Sequence, residues 1–353
     1  MCRVRISQAR YDEHESETMS IKQAEARFSR DPFAKFLGMQ LVDIAHERAI
    51  VTLPYQPEHA NAIGPLNGGA SASLLNVDGK IVAWTGIDFD QDPYLACVDM
   101  TIQYLSAAIE EEVIAEAQVL RRGRDLFFLD VALRSTDGRP ICQGLISYRA
   151  PDYTGHTPRL LSRHVHHPEV ARVVRLEDAW LIHGYVEKLA MTCQHYSPGR
   201  VQMHMPGHET LLDARGQLHD GALASVIDLC GTAAAWSLVP NREGARGSTI
   251  GMQISYTQGA SEAVVADAHV QQRSEEIFFS TVYGHRCDLR AVGGHGTGNL
   301  PLGRVPLGQE ALPRAVVVIA IVQDRKERCF LCTIRFRGSR LCSSSIGPAA
   351  PPL

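Results

Sequence analysis

Shifted by 152 positions, the chain matches itself without a gap for almost seventy residues. Leu37 and Met39 recur as Leu189 and Met191, Pro54 as Pro206, Gly64 and Leu66 as Gly216 and Leu218, and Gly69-Ala70 as Gly221-Ala222. Ser73 recurs as Ser225, Gly79 as Gly231, Ala83-Trp84 as Ala235-Trp236, and Met100, Ile102 and Tyr104 as Met252, Ile254 and Tyr256. After one deletion, Phe127-Phe128 meets Phe278-Phe279. A duplication limits the fold severely, because one arrangement must satisfy both copies. Two copies of about 120 residues are too few and too long for a solenoid, so each is expected to be a domain with its own core. The 353 residues, 45% hydrophobic, supply enough apolar material for two.

Within the first copy the pattern predicts a short helix near 21–28. A strand at 48–53 (RAIVTL) follows a turn-prone stretch, and a loop of Gly and Pro comes next. From Gly68 to Trp84, residues Ala70, Leu74, Val77, Ile81 and Trp84 recur at helical spacing, and Asn67 is suited to cap that helix. Strands are expected at about 97–105, 112–120, 126–134 and 140–149. One long helix between a strand and an antiparallel run implies an α+β domain in which the sheet wraps the helix. The expected organisation is a tail at 1–20, a domain at 21–150, a linker at 151–168, a second domain at 169–283 and an uncertain tail at 284–353.

The repeat fails after Val282, where the counterpart of 132–149 should complete the second copy. Two readings stay open. Segments 315–323 (AVVVIAIVQ) and 329–336 (CFLCTIRF) form a hairpin that replaces the missing strand, or the tail is a read-through in a shifted frame. A copy short of its last strand is expected to be the less stable half, with a poorly ordered tail from about 284.

Composition removes several function classes. A net charge of −4 provides no basic field for nucleic acid. No apolar run approaches the roughly 18 residues needed to span a bilayer, and the N-terminus lacks the apolar core of a signal peptide. A cytoplasmic location is the expectation. Nine cysteines, an odd number without framework spacing, argue for reduced thiols.

The stretch Asn61-Ala-Ile-Gly-Pro-Leu-Asn67-Gly68-Gly69-Ala70, its helix, and the strand Met100-Thr-Ile-Gln-Tyr104 resemble the hotdog-fold acyl-CoA thioesterases of the PaaI-like group. These carry a His-Gly-Gly turn, an acidic residue nine positions after the His, and a strand ending in Tyr. The second copy shows His219, then Asp220-Gly221, and Asp228 at the ninth position; the first copy departs, with Asn67 and Asn76 at those places. The resemblance covers about 30–150 and 180–282. It implies two hotdog domains in tandem, an acyl-CoA substrate, no cofactor, and association of such units into a homo-oligomer as a possibility.

Thioester hydrolysis needs a carbonyl polariser and a carboxylate that attacks or activates water. A helix N-terminus supplies the first, and Gly68 fits that place. The resemblance implies that the turn of one copy faces the helix carboxylate of the other. One composite then joins Asn61, Asn67 and Gly68 to Asp228. The second joins Asp213, His219 and Asp220 to Asn76, which has no ionisable group, so it is expected to be degenerate. Asp78, roughly 200° further round the helix than Asn76, should face away. Arg121, Arg122 and Arg124 form a basic turn that could meet coenzyme A phosphates, although a solvated hairpin turn explains them as well. His164, His166 and His167, the Cys329/Cys332 pair and the glycines at 293–298 lack the partners a metal or phosphate site requires, so no metal is expected. The competing functions are a non-catalytic acyl-CoA or lipid-like ligand-binding protein and, further off, an enoyl-CoA hydratase or dehydratase. The latter resembles enzymes with an Asp and a His five apart on one segment, and neither helix has that pair.

Overall fold

The structure is a computed structural model that describes residues 20–61, 64–87, 95–123, 125–150, 184–213, 216–239, 245–256, 260, 263–274, 276–287 and 307–323. The linker at 151–168, Arg124, the glycines at 293–298, the linker histidines and segment 329–336 lie outside the described residues.

The first copy opens with α1 over 20–28 and α2 at Pro32–Leu37, whose N-cap Asp31 accepts the Phe33 and Ala34 N–H groups through Oδ1. A hairpin of β1 (Gln40–Ala45) and β2 (Arg48–Leu53) follows. The stretch before 48, read as turn-prone, is therefore mostly strand. Its turn is confined to His46-Glu47, with Glu47 at φ 59, and β1 escaped notice because an exposed outer strand has no regular apolar alternation. Next come α3 (Gly68–Thr85), β3 (Ala96–Tyr104), β4 (Val113–Arg122), β5 (Leu126–Ser135) and β6 (Pro140–Arg149). The second copy repeats the series as α4 (Tyr185–Lys188), β7 (Thr192–Ser197), β8 (Arg200–Met205), α5 (Asp220–Trp236), β9 (Ala245–Ser255), β10 (Val264–Ser274) and β11 (Ile277–Cys287), ending in β12 (Leu307–Gln323).

All twelve strands form one antiparallel sheet in the order β1-β2-β4-β5-β6-β3-β9-β12-β11-β10-β8-β7. The halves meet at β3 and β9. Thr101 lies opposite Gln253, its own counterpart in the repeat, while Met100 pairs with Ile254 and Ile102 with Met252. This is the self-complementary register of a two-fold dimer, built here within one chain. Each half-sheet curls over one central helix, giving the α+β hotdog architecture twice. Every residue of α3 after Gly68 is buried, and in α5 only Asp220 and Thr232 are not. A helix apolar on all sides is covered on all sides: the sheet covers one, and the other helix covers the rest.

The helices cross where the duplicated Gly and Ser fall. A Cβ on Gly69 would stand 2.8 Å from the Ser225 Cα, and one on Gly221 3.0 Å from the Ser73 Cα. The Ser73 and Ser225 hydroxyls are 3.0 Å apart, each lies near the carbonyls of both Gly69 and Gly221, and the buried Tyr185 hydroxyl reaches both.

The expectation of an open edge in the second copy is corrected. β12 sits between β11 and β9, as β6 sits between β5 and β3, with Phe278 opposite Ile319 and Phe279 opposite Val318. The replacement begins earlier than 315. Its register slips between the pairs Tyr283–Arg314 and His285–Ala311, which bracket Pro313, a residue with no N–H to give to the ladder. β6 slips at the corresponding end, between the pairs Leu133–Cys142 and Arg134–Pro140. Among the described residues no helix is long and apolar enough to cross a membrane.

Gly69→Ala puts a methyl group against the backbone of α5, so it should destabilise the fold by about 1–3 kcal/mol, the usual scale for overpacking. Gly144→Ala, whose added Cβ meets nothing nearer than 3.5 Å, should have a much smaller effect. Chemical denaturation of both variants checks this.

Candidate active site

Gly68 and Asp228 meet. The position a Cβ on Gly68 would take is 2.7 Å from Asp228 Oδ2, so only glycine fits at the start of α3 beside that carboxylate. The N-cap Asn67 accepts the Gly69 N–H at 2.8 Å, as the sequence predicts, and Tyr104 donates its hydroxyl to the Gly68 carbonyl at 3.1 Å. The Gly68 N–H, first in the helix, has no acceptor within the helix and lies at its positive end.

Asp228 is 3% exposed. Thr249 of β9 donates to its Oδ1 at 2.6 Å, and the Thr249 hydroxyl is 3.2 Å from that of Thr232, one turn along α5. Burial pushes the carboxyl up to about 6, while the Thr249 hydroxyl and the Gly69 N–H pull the other way. The group therefore ionises near neutrality yet stays a good proton acceptor. A cavity of about 180 Å³ opens over it. Its wall includes Asn61, Asn67, Gly68, Tyr104 and Cys142 from the first copy and Asp228, Thr232, Trp236 and Thr249 from the second. Polar groups converge at one point of a largely apolar cleft, the general form of a small-molecule site.

The second composite keeps the tyrosine, with Tyr256 donating to the Asp220 carbonyl at 3.1 Å, and differs at the cap, the helix start and the carboxylate position. His219 caps α5 by accepting the Gly221 N–H through Nδ1 at 3.0 Å, which leaves the proton on Nε2, 3.6 Å from Asp31 Oδ2. It is fully buried and stacks on Phe33 at 4.7 Å between ring centres. Burial, reinforced by Lys80, holds it well below the ordinary histidine range, so it is neutral. Asp220 stands where Gly68 stands in the other copy, and pairs with Lys80 at 3.4 Å. Asn76 is fully buried at the position of Asp228. Asp213 accepts the Gln217 N–H at 3.0 Å within its loop. The structure thus brings Asn61, Asn67, Gly68 and Asp228 together, and His219, Asp220 and Lys80 together, with Asn76 buried one helical turn before Lys80. Arg121 and Arg122 are exposed at the end of β4 and do not line the cavity. Among the described residues no group of His, Cys, Asp and Glu could hold a metal ion.

Sequence reasoning overlooked Thr249, Thr232 and Lys80. The repeat marks all three as positions where the copies differ, Thr249 standing opposite Cys97 and Thr232 opposite Lys80 at the same offset, but not what each one touches. Asp78 does point away, being fully buried near the Ala117 backbone on β4. Its counterpart is Cys230, whose thiol donates to the Val201 and Ala266 carbonyls.

These geometries define a tandem hotdog protein with a buried carboxylate in a cleft between its halves. Residues 64–142 match the family model described as the thioesterase superfamily. Human acyl-coenzyme A thioesterase 13 is 34% identical over 115 residues, which is 32% of this chain and 80% of that protein. The mouse protein of the same name is 34% identical over 106 residues, 30% of this chain and 74% of its own length. In structure, the tesB protein of Mycobacterium avium subsp. paratuberculosis superposes with a TM-score of 0.51 at 10% identity, covering 86% of this chain and 99% of that one. A hot dog fold protein from Alicyclobacillus acidocaldarius reaches 0.50 at 13% identity, covering 80% and 96%. The chain belongs to the thioesterase superfamily. It is a thioester hydrolase of the double-hotdog kind.

Two outcomes are expected. A carboxylate that must be ionised to act makes kcat/KM fall tenfold per pH unit below about 6. Thr249→Val removes a donor that favours the ionised form, so it should move that limb to higher pH, and Thr249→Ser should restore it; pH–rate profiles of the three proteins decide. For Asp78, burial raises the folded carboxyl well above 3.8, so its stability contribution is present at low pH and lost as pH rises past the unfolded value. Asp78→Cys should therefore stabilise the protein more at pH 8 than at pH 4, as measured by thermal unfolding.

Proposed function

We propose that the protein hydrolyses acyl-CoA thioesters at one composite site, made of Asn61, Asn67 and Gly68 from the first domain and Asp228 from the second. The observation that carries this reading is the contact between the Asp228 carboxylate and the α3 N-terminus at Gly68, inside an apolar cleft. The coenzyme A thioester is taken from the similarity to acyl-coenzyme A thioesterase 13.

The thioester carbonyl oxygen points at the Gly68 N–H, where the helix end favours developing negative charge. Asp228 acts by one of two routes. As general base it takes a proton from water while the water oxygen bonds to the carbonyl carbon, and the tetrahedral intermediate then expels the thiolate, which recovers that proton. As nucleophile its own oxygen displaces the thiolate, and water cleaves the resulting anhydride. Both routes consume one water and yield a free acid and a thiol. Thr249 orients the carboxylate in either. Asn61 and Asn67 shape the turn, Asn67 by holding the first helical N–H groups in place. The other composite has no carboxylate at Asn76, and Asp220 sets a negative charge where an oxyanion would form, so it does not turn over.

A panel of acyl-CoAs assayed with a free-thiol reagent tests the activity. Asp228→Asn should lower kcat/KM about a hundredfold or more, whereas Asn76→Ala should change it less than about threefold. Equal losses from the two substitutions would contradict a single site, and absence of thiol release across the panel would remove the acyl-CoA assignment.

A further inference from the structure

The two composites also differ at a position that the missing carboxylate does not account for. One helical turn beyond Asp228 stands Thr232, small and polar, at the cleft. One turn beyond Asn76 stands Lys80, buried, with its ammonium reaching across the halves to Asp220 at 3.4 Å. The two side chains are only 11% and 19% exposed. Asp220 in turn lies at the N-terminus of α5, where helix charge favours an anion. The protein's own carboxylate and ammonium thus stand fixed at the places that Gly68 and Thr232 leave small in the working composite.

We propose that Lys80 is the lock of the second cleft: its ammonium, paired with Asp220 one helical turn beyond Asn76, bars thioester hydrolysis there even if a carboxylate is returned to position 76. Residues four apart share one face of a helix, so a carboxylate at 76 would lie within reach of Lys80 and pair with it. A carboxylate paired with a buried cation is a weaker base and a poorer nucleophile. Removing Asp220 alone leaves that cation uncompensated and free to turn to position 76. Lys80 therefore has to go before the rest of the machinery can be rebuilt.

The inference rests on the single-site reading above, and its test is made in the full chain carrying Asp228→Asn, which silences the first composite. Into that background go Asn76→Asp, Cys97→Thr and Asp220→Gly, with or without Lys80→Thr, and thiol release is followed with the best acyl-CoA of the panel. The set that keeps Lys80 should stay at the Asp228→Asn level; adding Lys80→Thr should raise the rate at least about tenfold. Activity returning while Lys80 remains, or failing to return after its removal in a protein with native circular dichroism, overturns the lock. If the multiple variants do not fold, Lys80→Thr with Asp220→Gly in the otherwise unaltered chain, a charge-neutral exchange, gives an independent measurement. Calorimetric titration with the thioether analogue of the same acyl-CoA should show one equivalent bound per native chain and two per variant. One equivalent in both, or two in the native chain, also overturns it. An unaltered chain that releases no thiol would refute the hydrolase reading at its first step, while the stoichiometry would still judge the lock.

Discussion

The close crossing of α3 and α5 is the contact on which the rest depends. Gly69 and Gly221 let the helix backbones approach within the space of one missing methyl, and Ser73 and Ser225 fill the gap with hydroxyls that share the helix carbonyls. This crossing, with the β3–β9 pairing, brings the start of each helix beside the middle of the other. It is what places Gly68 against Asp228. A hotdog copy with only its own helix would expose one side of it and would hold only half of either cleft.

A two-fold arrangement makes two clefts equivalent unless sequence separates them, and here a few substitutions do so. In one cleft the buried carboxylate of Asp228 is supported by the Thr249 hydroxyl and a helix N–H. Burial raises its proton affinity, and those donors keep its ionised form accessible. In the other cleft the buried charge is compensated internally, Lys80 against Asp220, with the neutral Asn76 and His219 around it. An ion pair of this kind makes each partner dependent on the other, because either alone would be a desolvated charge.

Much of this was legible in the sequence. The repeat offset gives two copies of one domain, periodicity gives a helix over 68–84 and four strands close to their observed limits, and the pairing of Gly68 with Asp228 is what the resemblance to the PaaI-like thioesterases implies. Three features were not legible, each for a physical reason. β1 is an outer strand in which only Leu41 and Ile44 pack against the core, three positions apart, so it shows no period-two alternation. β12 bears no resemblance to β6 because a strand between two others is recognised by its backbone pairing, which many sequences satisfy. Thr249 lies some twenty residues from Asp228 in sequence and reaches it only because β9 passes over α5.

By itself, then, the sequence determined the duplication, the central helix with most of its strands, and the imbalance between Asp228 and Asn76, since these depend on local periodicity and residue type. The tertiary structure decided which groups touch. Distances such as that from Thr249 to Asp228, or from Lys80 to Asp220, arise from helix crossing and strand register, which are set by packing of the whole core. No local pattern encodes them, because the two partners of each contact lie on different elements and, for the ion pair, on different copies.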